Sequence, residues 1–251
     1  MIIPLMRYGG AARNLPKYEY TGAKPLFFSD RQGNWEMVFL ADCTVTFAKL
    51  PGPVEAFLCG GGAIAGLSDG NAPNGYAKGG DGGRGGGTLT ASPTLHVGVR
   101  YPVTIGQSGT STAAFGLTAA SGQGSYGGAG AQRSAAGNGS DGVLAFGTGG
   151  TLYENGTPIK FGAGGGGGAA RGDWNHNLLP AGSGGATGGG DGGAGDGSED
   201  QTHRGGDGAP NTGGGGGGGS RNNTMYSEGR FPGPGRGGSG IVILRNARSN
   251  T

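Results

Sequence analysis

The sequence predicts a mostly irregular and β protein with little or no α-helix, in which a lattice of polyglycine II helices is braced by short β-strands. The chain has 67 glycines among 251 residues, while only 33% of its residues are hydrophobic and 14% are charged. Only five glycines lie in residues 1–59, so roughly one residue in three is glycine over residues 60–240. Each interior glycine costs an α-helix about 1 kcal/mol relative to alanine. This density therefore excludes α-helix over most of the chain.

Residues 34–59 are predicted to form a small β region that follows an N-terminal attachment arm, residues 1–33. Short runs of β-branched and aromatic residues separated by Gly, Pro and Asp are typical of strands. The β region contains such runs at 35–40, 43–48 and 54–58.

The chain has two cysteines, Cys43 and Cys59. If the runs on either side of residues 50–53 formed a hairpin, Cys43 would oppose Gly60, and a disulfide would be geometrically conceivable. Two buried, reduced thiols are the favoured alternative, because the N-terminal residues lack the apolar length and the cleavage site of a signal peptide. We therefore expect synthesis in the cytoplasm without a signal peptide.

Residues 60–245 are predicted to form one glycine-rich domain. Two β insertions interrupt it near 94–118 and 143–163, and a strand at 240–245 closes it. In the second insertion an Asn-Gly pair at 155–156 lies between apolar arms, which is typical of a hairpin turn.

Order in the glycine-rich domain has to come from the backbone, although its composition alone is also typical of disorder. A glycine helix with three residues per turn projects its N–H and C=O groups sideways, where they can bond to neighbouring helices. The runs 164–168 and 213–219 carry no side chain, so we expect them to be enclosed on all sides. Charged residues three positions apart should stack on one outward edge: Asp81 with Arg84, and Arg204 with Asp207.

Three segments at which apolar strands meet glycines together resemble the glycine-rich domain of bacteriophage and prophage tail proteins: 34–40 with 54–62, 101–109 with 114–116, and 237–245. They are similar to that family's entry strands, its VTVGxGG…SFG core and its closing strand. The family usually has Val where Cys59 stands and Gly where Ser108 stands. The overall design is also similar to the adhesins of T-even-type long tail fibres, in which polyglycine II helices form a layered sandwich and loops at one end contact bacterial receptors.

This resemblance implies a virion protein of a bacteriophage, and our first hypothesis is a tail-fibre adhesin that attaches the particle to its host. Its expected partners are a bacterial surface receptor, either a carbohydrate or an outer-surface protein, and other fibre or tail proteins bound through the N-terminal region. Since fibres are usually trimeric, a homotrimer is one candidate state.

Receptor specificity is expected in the segments that join the glycine helices, where large side chains reappear. These segments are 69–76, 169–180, 198–204 and 220–231. They carry the aromatic, amide and guanidinium groups that are enriched at binding hot spots. The receptor-binding candidates are Tyr76, Arg171, Trp174, Asn175, His176, His203, Met225, Tyr226 and Arg230. The alternative is that these side chains only cap the ends of the lattice and seal it from water.

Two further functions remain as alternatives. One is a structural virion component, such as a head fibre, tail-tip cap or connector. The other is a glycine-rich RNA-associated protein, for which the sequence offers only two RGG-like triplets, at 84–86 and 236–238. A net charge of +2 with scattered basic residues lacks the electrostatic footprint of a nucleic-acid binder. No stretch approaches the roughly 18 apolar residues of a membrane span, so no membrane insertion is expected.

The sequence patterns of catalysis and of cofactor or metal binding are missing. There is no P-loop motif, and G-x-G-x-x-G matches arise trivially in a glycine-rich chain. The three histidines have no metal-ligand spacing. The integrin tripeptide at 171–173 is expected by chance. We therefore expect no enzyme activity, no cofactor and no metal.

Overall fold

The computed structural model describes residues 14–66, 78–124, 126–129, 131, 135–148, 150–172, 177–194, 203–220 and 233–247, with only the backbone of 171–172 and 177–178. Within these ranges the protein is mostly β and irregular, and helical structure is limited to short 3-10 turns such as Ala145–Gly147. The fold class of a mostly irregular and β protein with little helix is confirmed. That the glycine segments are polyglycine II helices stays a prediction.

Two five-stranded antiparallel sheets form a β-sandwich. The first sheet has the order β1-β4-β7-β8-β9, and the second has the order β2-β3-β14-β5-β6. The remaining strands form two short two-stranded sheets, β10-β11 and β12-β13. The strand bounds are β1 Lys17–Gly22, β2 Leu26–Ser29, β3 Trp35–Phe39, β4 Cys43–Lys49, β5 Val54–Cys59, β6 Thr88–Ala91, β7 Arg100–Thr104, β8 Thr112–Ala114, β9 Leu117–Ala119, β10 Val143–Leu144, β11 Lys160–Phe161, β12 Ala170–Gly172, β13 Asn177–Leu179 and β14 Ile241–Asn246.

One apolar core fills the space between the two sheets. In β4, Val45 and Phe47 are buried while Thr44 and Thr46 are half-buried, which is the alternation expected of a strand with one core-facing side. The largest members of the core are Trp35, Met37, Phe39, Phe47, Leu58, Phe115 and Leu244. Because strands from both sheets contribute to it, the sandwich is a single packing unit.

The closing strand β14 occupies the centre of the second sheet. It pairs antiparallel with β3 on one side and with β5 on the other. Residues 241–245 are all buried. The last strand of the described chain therefore joins two strands from its first quarter, and the second sheet is incomplete until that strand is in place.

The insertion at 143–163 covers the outer face of the second sheet. Phe161 packs on Phe57 with ring centres 5.1 Å apart. The buried Glu36 carboxylate accepts hydrogen bonds from the N–H groups of Leu152 at 2.6 Å and Tyr153 at 3.2 Å. These contacts fasten the insertion to β3 and β5.

The hairpin predicted around 155–156 is only partly present. Asn155 and Gly156 have φ of 46° and 88°, as a tight turn requires. However, residues 152–154 also lie in turns, and the strands that pair are β10 and β11, farther from the Asn-Gly pair. The Glu36 carboxylate offers the backbone of 152–153 an acceptor, so these residues do not need a strand partner.

Part of the expected attachment arm belongs to the sandwich. Residues 17–22 and 26–29 form β1 and β2, which pair with β4 and β3. Tyr18 and Phe27 pack against the core, with ring centres 6.0 Å apart. Residues 17–29 are therefore part of the sandwich, while a role of residues 1–33 in attachment stays a prediction. Residues 1–13 lie outside the described part of the chain.

The hairpin considered for β4 and β5 is also absent, because these strands lie in different sheets. Cys43 is opposite Gly22 and Val103, whereas Cys59 is opposite Ile241 and Thr88. Both cysteines are free and buried, as the favoured alternative predicted.

Glycine-rich segments lie side by side in three layers, linked by backbone hydrogen bonds, and we call this array the lattice. Each segment bonds to its neighbours within the layer and in the adjacent layer. The first layer contains 60–66, 78–87 and 126–129 with 131; the second contains 233–240, 213–220, 162–170 and 135–142; the third contains 203–209, 188–194 and 181–186.

Hydrogen bonds between neighbouring segments recur every three residues. Gly215 donates to the carbonyl oxygen of Ala163 at 2.8 Å, and Gly218 donates to that of Gly166 at 2.9 Å. Both the donor and the acceptor are thus three residues farther along their segments in the second bond. On another side of the same segment, residues 83 and 80 donate to Gly216 at 2.7 Å and Gly219 at 2.9 Å. A helix with three residues per turn presents every third backbone group to the same neighbour.

The two side-chain-free runs are the interior of the lattice. Every residue of 164–168 and 213–219 is buried, which confirms that these runs are enclosed. Arg204 bonds to Asp207 at 2.6 Å, as the spacing predicted. Asp81 bonds to Lys78 at 3.1 Å. Asp81 and Arg84 are both exposed, as expected of residues that lie on one outward edge.

Gly216→Ala tests the close packing of the lattice. A Cβ at this position would overlap the carbonyl oxygen of Gly235, so we expect a loss of about 2 kcal/mol or more in the free energy of unfolding. Thermal unfolding should show a melting temperature lower by about 4–8 °C. Gly233→Ala is the matched control, since a Cβ there meets nothing within 4 Å. Equal stability of the two variants would contradict this packing.

Cys59 lies where the sandwich meets the lattice, with its thiol near the carbonyl oxygens of Gly60 and Thr212, each at 3.5 Å. Burial raises the pKa of the Cys59 thiol to about 12. The pKa of Cys43 is raised as well, first by burial and then by the charge of Asp42. Both thiols therefore stay protonated at neutral pH and are poor nucleophiles in the folded protein.

The raised pKa of Cys59 predicts a loss of stability at alkaline pH. Its ordinary thiol value is 9.0, so above that pH the unfolded chain releases a proton that the folded protein keeps up to about 12. The contribution is complete below pH 9 and declines as the pH rises through this window. Urea unfolding at pH 8 and at pH 10.5 gives the decrease in the free energy of unfolding between these two pH values. We expect this decrease to be about 1–2 kcal/mol smaller for Cys59→Ala than for the wild type. An identical loss in both proteins would refute this assignment.

Candidate functional site

The lattice has two different ends. At one end, which we call the sandwich end, the glycine segments continue into strands of the sandwich. Gly60 follows β5 and donates to Gly87 at 2.9 Å, while Gly240 precedes β14 and donates to Gly106 at 2.8 Å. This end is therefore closed by strands of the sandwich.

At the other end, which we call the loop end, backbone hydrogen bonds join the last residues of many segments. Gly79 donates to Ala131 at 2.9 Å, and Ala131 donates to Gly168 at 3.0 Å. Three more bonds belong to this network: Ala169 donates to Gly193 at 3.0 Å, Gly80 donates to Gly219 at 2.9 Å, and Ser220 donates to His203 at 3.0 Å. At the polyglycine II rise of about 3.1 Å per residue, the run 213–219 would separate the two ends by about 19 Å.

The flanks of all four predicted recognition segments meet at the loop end. The chain leaves the described lattice there after residues 66, 172, 194 and 220, and it returns at 78, 177, 203 and 233. A further segment, 132–134, has its flanks at the same end, because Ala131 and Ala136 are bonded beside Gly168 and Pro180. Sequence reasoning missed this segment, although Gln-Arg-Ser at 132–134 is a break in the small-residue pattern that could have marked it.

The predicted site residues are placed as follows. His203 is described and half-buried, and Arg171 lies in β12, of which only the backbone is described at that position. The remaining candidates lie outside the described residues: Tyr76, Trp174, Asn175, His176, Met225, Tyr226 and Arg230. The structure thus brings together the flanks of their segments, and their roles in binding stay predictions.

The segment with the richest recognition chemistry is carried by a short β-hairpin. β12 and β13 pair antiparallel, with Ala170 opposite Leu179 and Gly172 opposite Asn177. Ala170 is 1% exposed, so the base of the hairpin is embedded in the lattice. Residues 173–176, which include Trp174 and His176, join its two strands. The hairpin gives this candidate segment a fixed base.

A reciprocal contact joins the flanks of two other segments. The backbone N–H of His203 donates to Ser220 Oγ at 2.7 Å, and the Ser220 hydroxyl donates to the His203 carbonyl oxygen at 3.2 Å. Ser220 itself is 1% exposed. Since residue 203 ends one candidate segment and residue 220 begins another, this contact sets the spacing between the two.

Ion pairs at the rim of the lattice involve residues close to the loop end. Lys78 bonds to Asp81, and Arg204 bonds to Asp207, which also accepts the backbone N–H of Arg236 at 2.7 Å. Across the described ranges, no three His, Cys, Asp or Glu side chains are grouped as a metal site would require. In those same ranges, every helix is too short or too polar to cross a bilayer.

Ser220→Ala should loosen the loop end. Removing the hydroxyl leaves the His203 N–H without its acceptor in a half-buried place, which costs about 1–2 kcal/mol of stability. Hydrogen exchange of the His203 amide should become faster, and the melting temperature should fall. The matched control is Ser183→Ala, at an exposed position in the third layer. Unchanged exchange at His203 would count against the contact.

No protein-family model matches the chain, and no curated protein sequence is significantly similar to it. The likeness to glycine-rich phage tail domains therefore stays a prediction from the motifs at 34–62, 101–116 and 237–245. The structural support for a proposed function comes from the loop end, where the flanks of the predicted recognition segments meet.

Proposed function

We propose that this protein is a receptor-binding adhesin of a bacteriophage tail fibre. The observation that carries the proposal is the loop end, where the flanks of all the candidate recognition segments meet. The opposite end of the lattice is closed by the β-sandwich. This separation suits a protein that is held at one end and binds at the other.

The lattice suits the role of a rigid support. Its interior segments are buried and bonded through the backbone, so they have no side-chain rotamers to order when a ligand binds. Holding recognition segments in place before contact lowers the entropic cost of binding. The support also has few titratable groups, which favours function on a particle exposed to variable surroundings.

The chemistry of the recognition segments suits a bacterial surface. Trp174 and Tyr226 supply aromatic rings that pack on sugar rings or protein side chains, and Asn175, His176 and Arg230 supply hydrogen-bond donors. The receptor class is therefore a carbohydrate or an outer-surface protein. These groups contact the receptor reversibly, and no covalent step is involved.

The ends of the described chain lie away from the loop end. β5 begins at Val54 and runs toward the lattice, and Val54 is opposite Asn246. Lys17, at the start of β1, is opposite Lys49 at the end of β4. Attachment to other tail or fibre proteins through the N-terminal region would therefore leave the recognition segments free.

The geometry weighs against an RNA-binding role for the RGG-like triplets. Both triplets lie inside lattice segments, where Gly85, Gly86 and Gly238 are buried. RGG segments that track a nucleic-acid strand need an accessible backbone and stacking aromatic residues. The glycines of these triplets are instead part of the lattice packing.

The proposal is tested by adding the purified, fluorescently labelled full chain to a panel of bacterial strains. We expect binding to some strains and a block of infection by the phage that carries this protein. Trp174→Ala and Tyr226→Ala should each weaken cell binding about tenfold, as loss of an aromatic hot spot does. Tyr20→Ala is the matched control, since Tyr20 is 41% exposed on β1 of the sandwich.

Two outcomes would overturn the adhesin proposal. One is a folded protein that is found on particles yet binds none of the strains they infect, as expected of a structural virion component. The other is cell binding that survives both loop substitutions and is lost in Tyr20→Ala.

A further inference from the structure

The two outer faces of the lattice differ in chemistry. The large apolar side chains exposed on the lattice, among the residues described, are Ile64 at 55% and Tyr126 at 66%. Both belong to the first layer. The third layer instead exposes Arg204, Asp207 and Asp191, and each of these carries a hydrogen bond. The first-layer face is thus the one whose exposed side chains are available to contact a ligand.

Ile64, Arg84 and Tyr126 form a row across the first layer, which we call the Arg84 row. The N–H of Ala63, next to Ile64, donates to the Arg84 carbonyl oxygen at 2.8 Å. On the other side, Gly124 donates to Gly85 at 2.7 Å, which places Tyr126 beside the same segment. The row therefore crosses three adjacent segments at one level of the lattice.

The guanidinium of Arg84 is held on an aromatic ring and keeps its donors available. Its Cζ lies 4.1 Å from the centre of the Tyr126 ring. Among the described residues no ion pair joins Arg84 to a carboxylate, and Asp81, three positions before it, bonds to Lys78. A guanidinium fixed by stacking presents its planar fork of N–H groups to a carboxylate with little loss of side-chain freedom.

We propose that the Arg84 row is a binding site for a carboxylated sugar of a surface polysaccharide. The carboxylate pairs with Arg84, while the apolar face of the sugar ring packs on Ile64 and the exposed part of Tyr126. Because the row lies on a lattice face and not among the recognition segments, it is a second contact, distinct from the loop end. The hydrogen bonds of the lattice repeat every three residues, and a regular support of this kind suits an extended polymer lying along it.

The test titrates the purified full chain with trigalacturonate, the carboxylated probe, and with a neutral galactose trisaccharide. We expect binding of trigalacturonate that weakens with added salt, and no detectable binding of the neutral sugar. Arg84→Gln should weaken binding at least tenfold, and Tyr126→Ala should weaken it severalfold. Arg204→Gln is the matched control on the opposite face, and its affinity should stay within twofold of the wild type.

Polyphosphate is the second anionic probe, and it separates a carboxylated sugar from a phosphorylated one. Tighter binding of polyphosphate than of trigalacturonate would overturn the proposal, as would failure to bind trigalacturonate or equal affinity of wild type and Arg84→Gln. All these variants change exposed side chains, and circular dichroism checks their fold. Trp174→Ala should keep trigalacturonate binding, so the outcome is separate from that of the adhesin test.

Discussion

Backbone hydrogen bonds between neighbouring glycine segments are the interaction on which the rest of this structure depends. Runs such as 164–168 and 213–219 have no side chains to bury, so their N–H and C=O groups have to be satisfied by other backbones. A typical bond contributes about 0.5–1.5 kcal/mol net, and the many bonds of the lattice act together. Glycine is needed because a Cβ in these segments would overlap a carbonyl oxygen of the next one.

The surrounding parts complete what glycine alone cannot. The β-sandwich supplies the apolar core, and its central strand β14 follows directly from a lattice segment. At the margins of the lattice, carboxylates replace missing backbone partners. Asp141 Oδ1 accepts the N–H of Ala186 at 2.7 Å, and Asp191 Oδ1 accepts that of Gly184 at 2.8 Å. Such side-chain acceptors satisfy donors at the rim, where the lattice has no further neighbour.

This arrangement separates the packed lattice from the predicted recognition segments. The backbone hydrogen bonds inside the lattice join residues such as Gly165, Gly190 and Gly215, which lie outside the predicted recognition segments. The flanks are fixed individually, by the β12–β13 hairpin and by the contact between His203 and Ser220. Such independence suits the proposed adhesin role, because variation in surface loops leaves a scaffold intact.

The sequence by itself determined the mostly β and irregular class, the enclosed glycine runs and the position of strands such as β4 and β14. These features depend on local composition and on periods of two or three residues, which can be read along the chain. Only the tertiary structure decided that β4 and β5 lie in different sheets, that residues 17–29 belong to the sandwich, and that the flanks of the predicted recognition segments meet at one end. The physical reason is that every glycine presents the same N–H and C=O groups. A bond such as that from Gly83 to Gly216 therefore has no signature in the sequence, and the packing of the whole chain selects it.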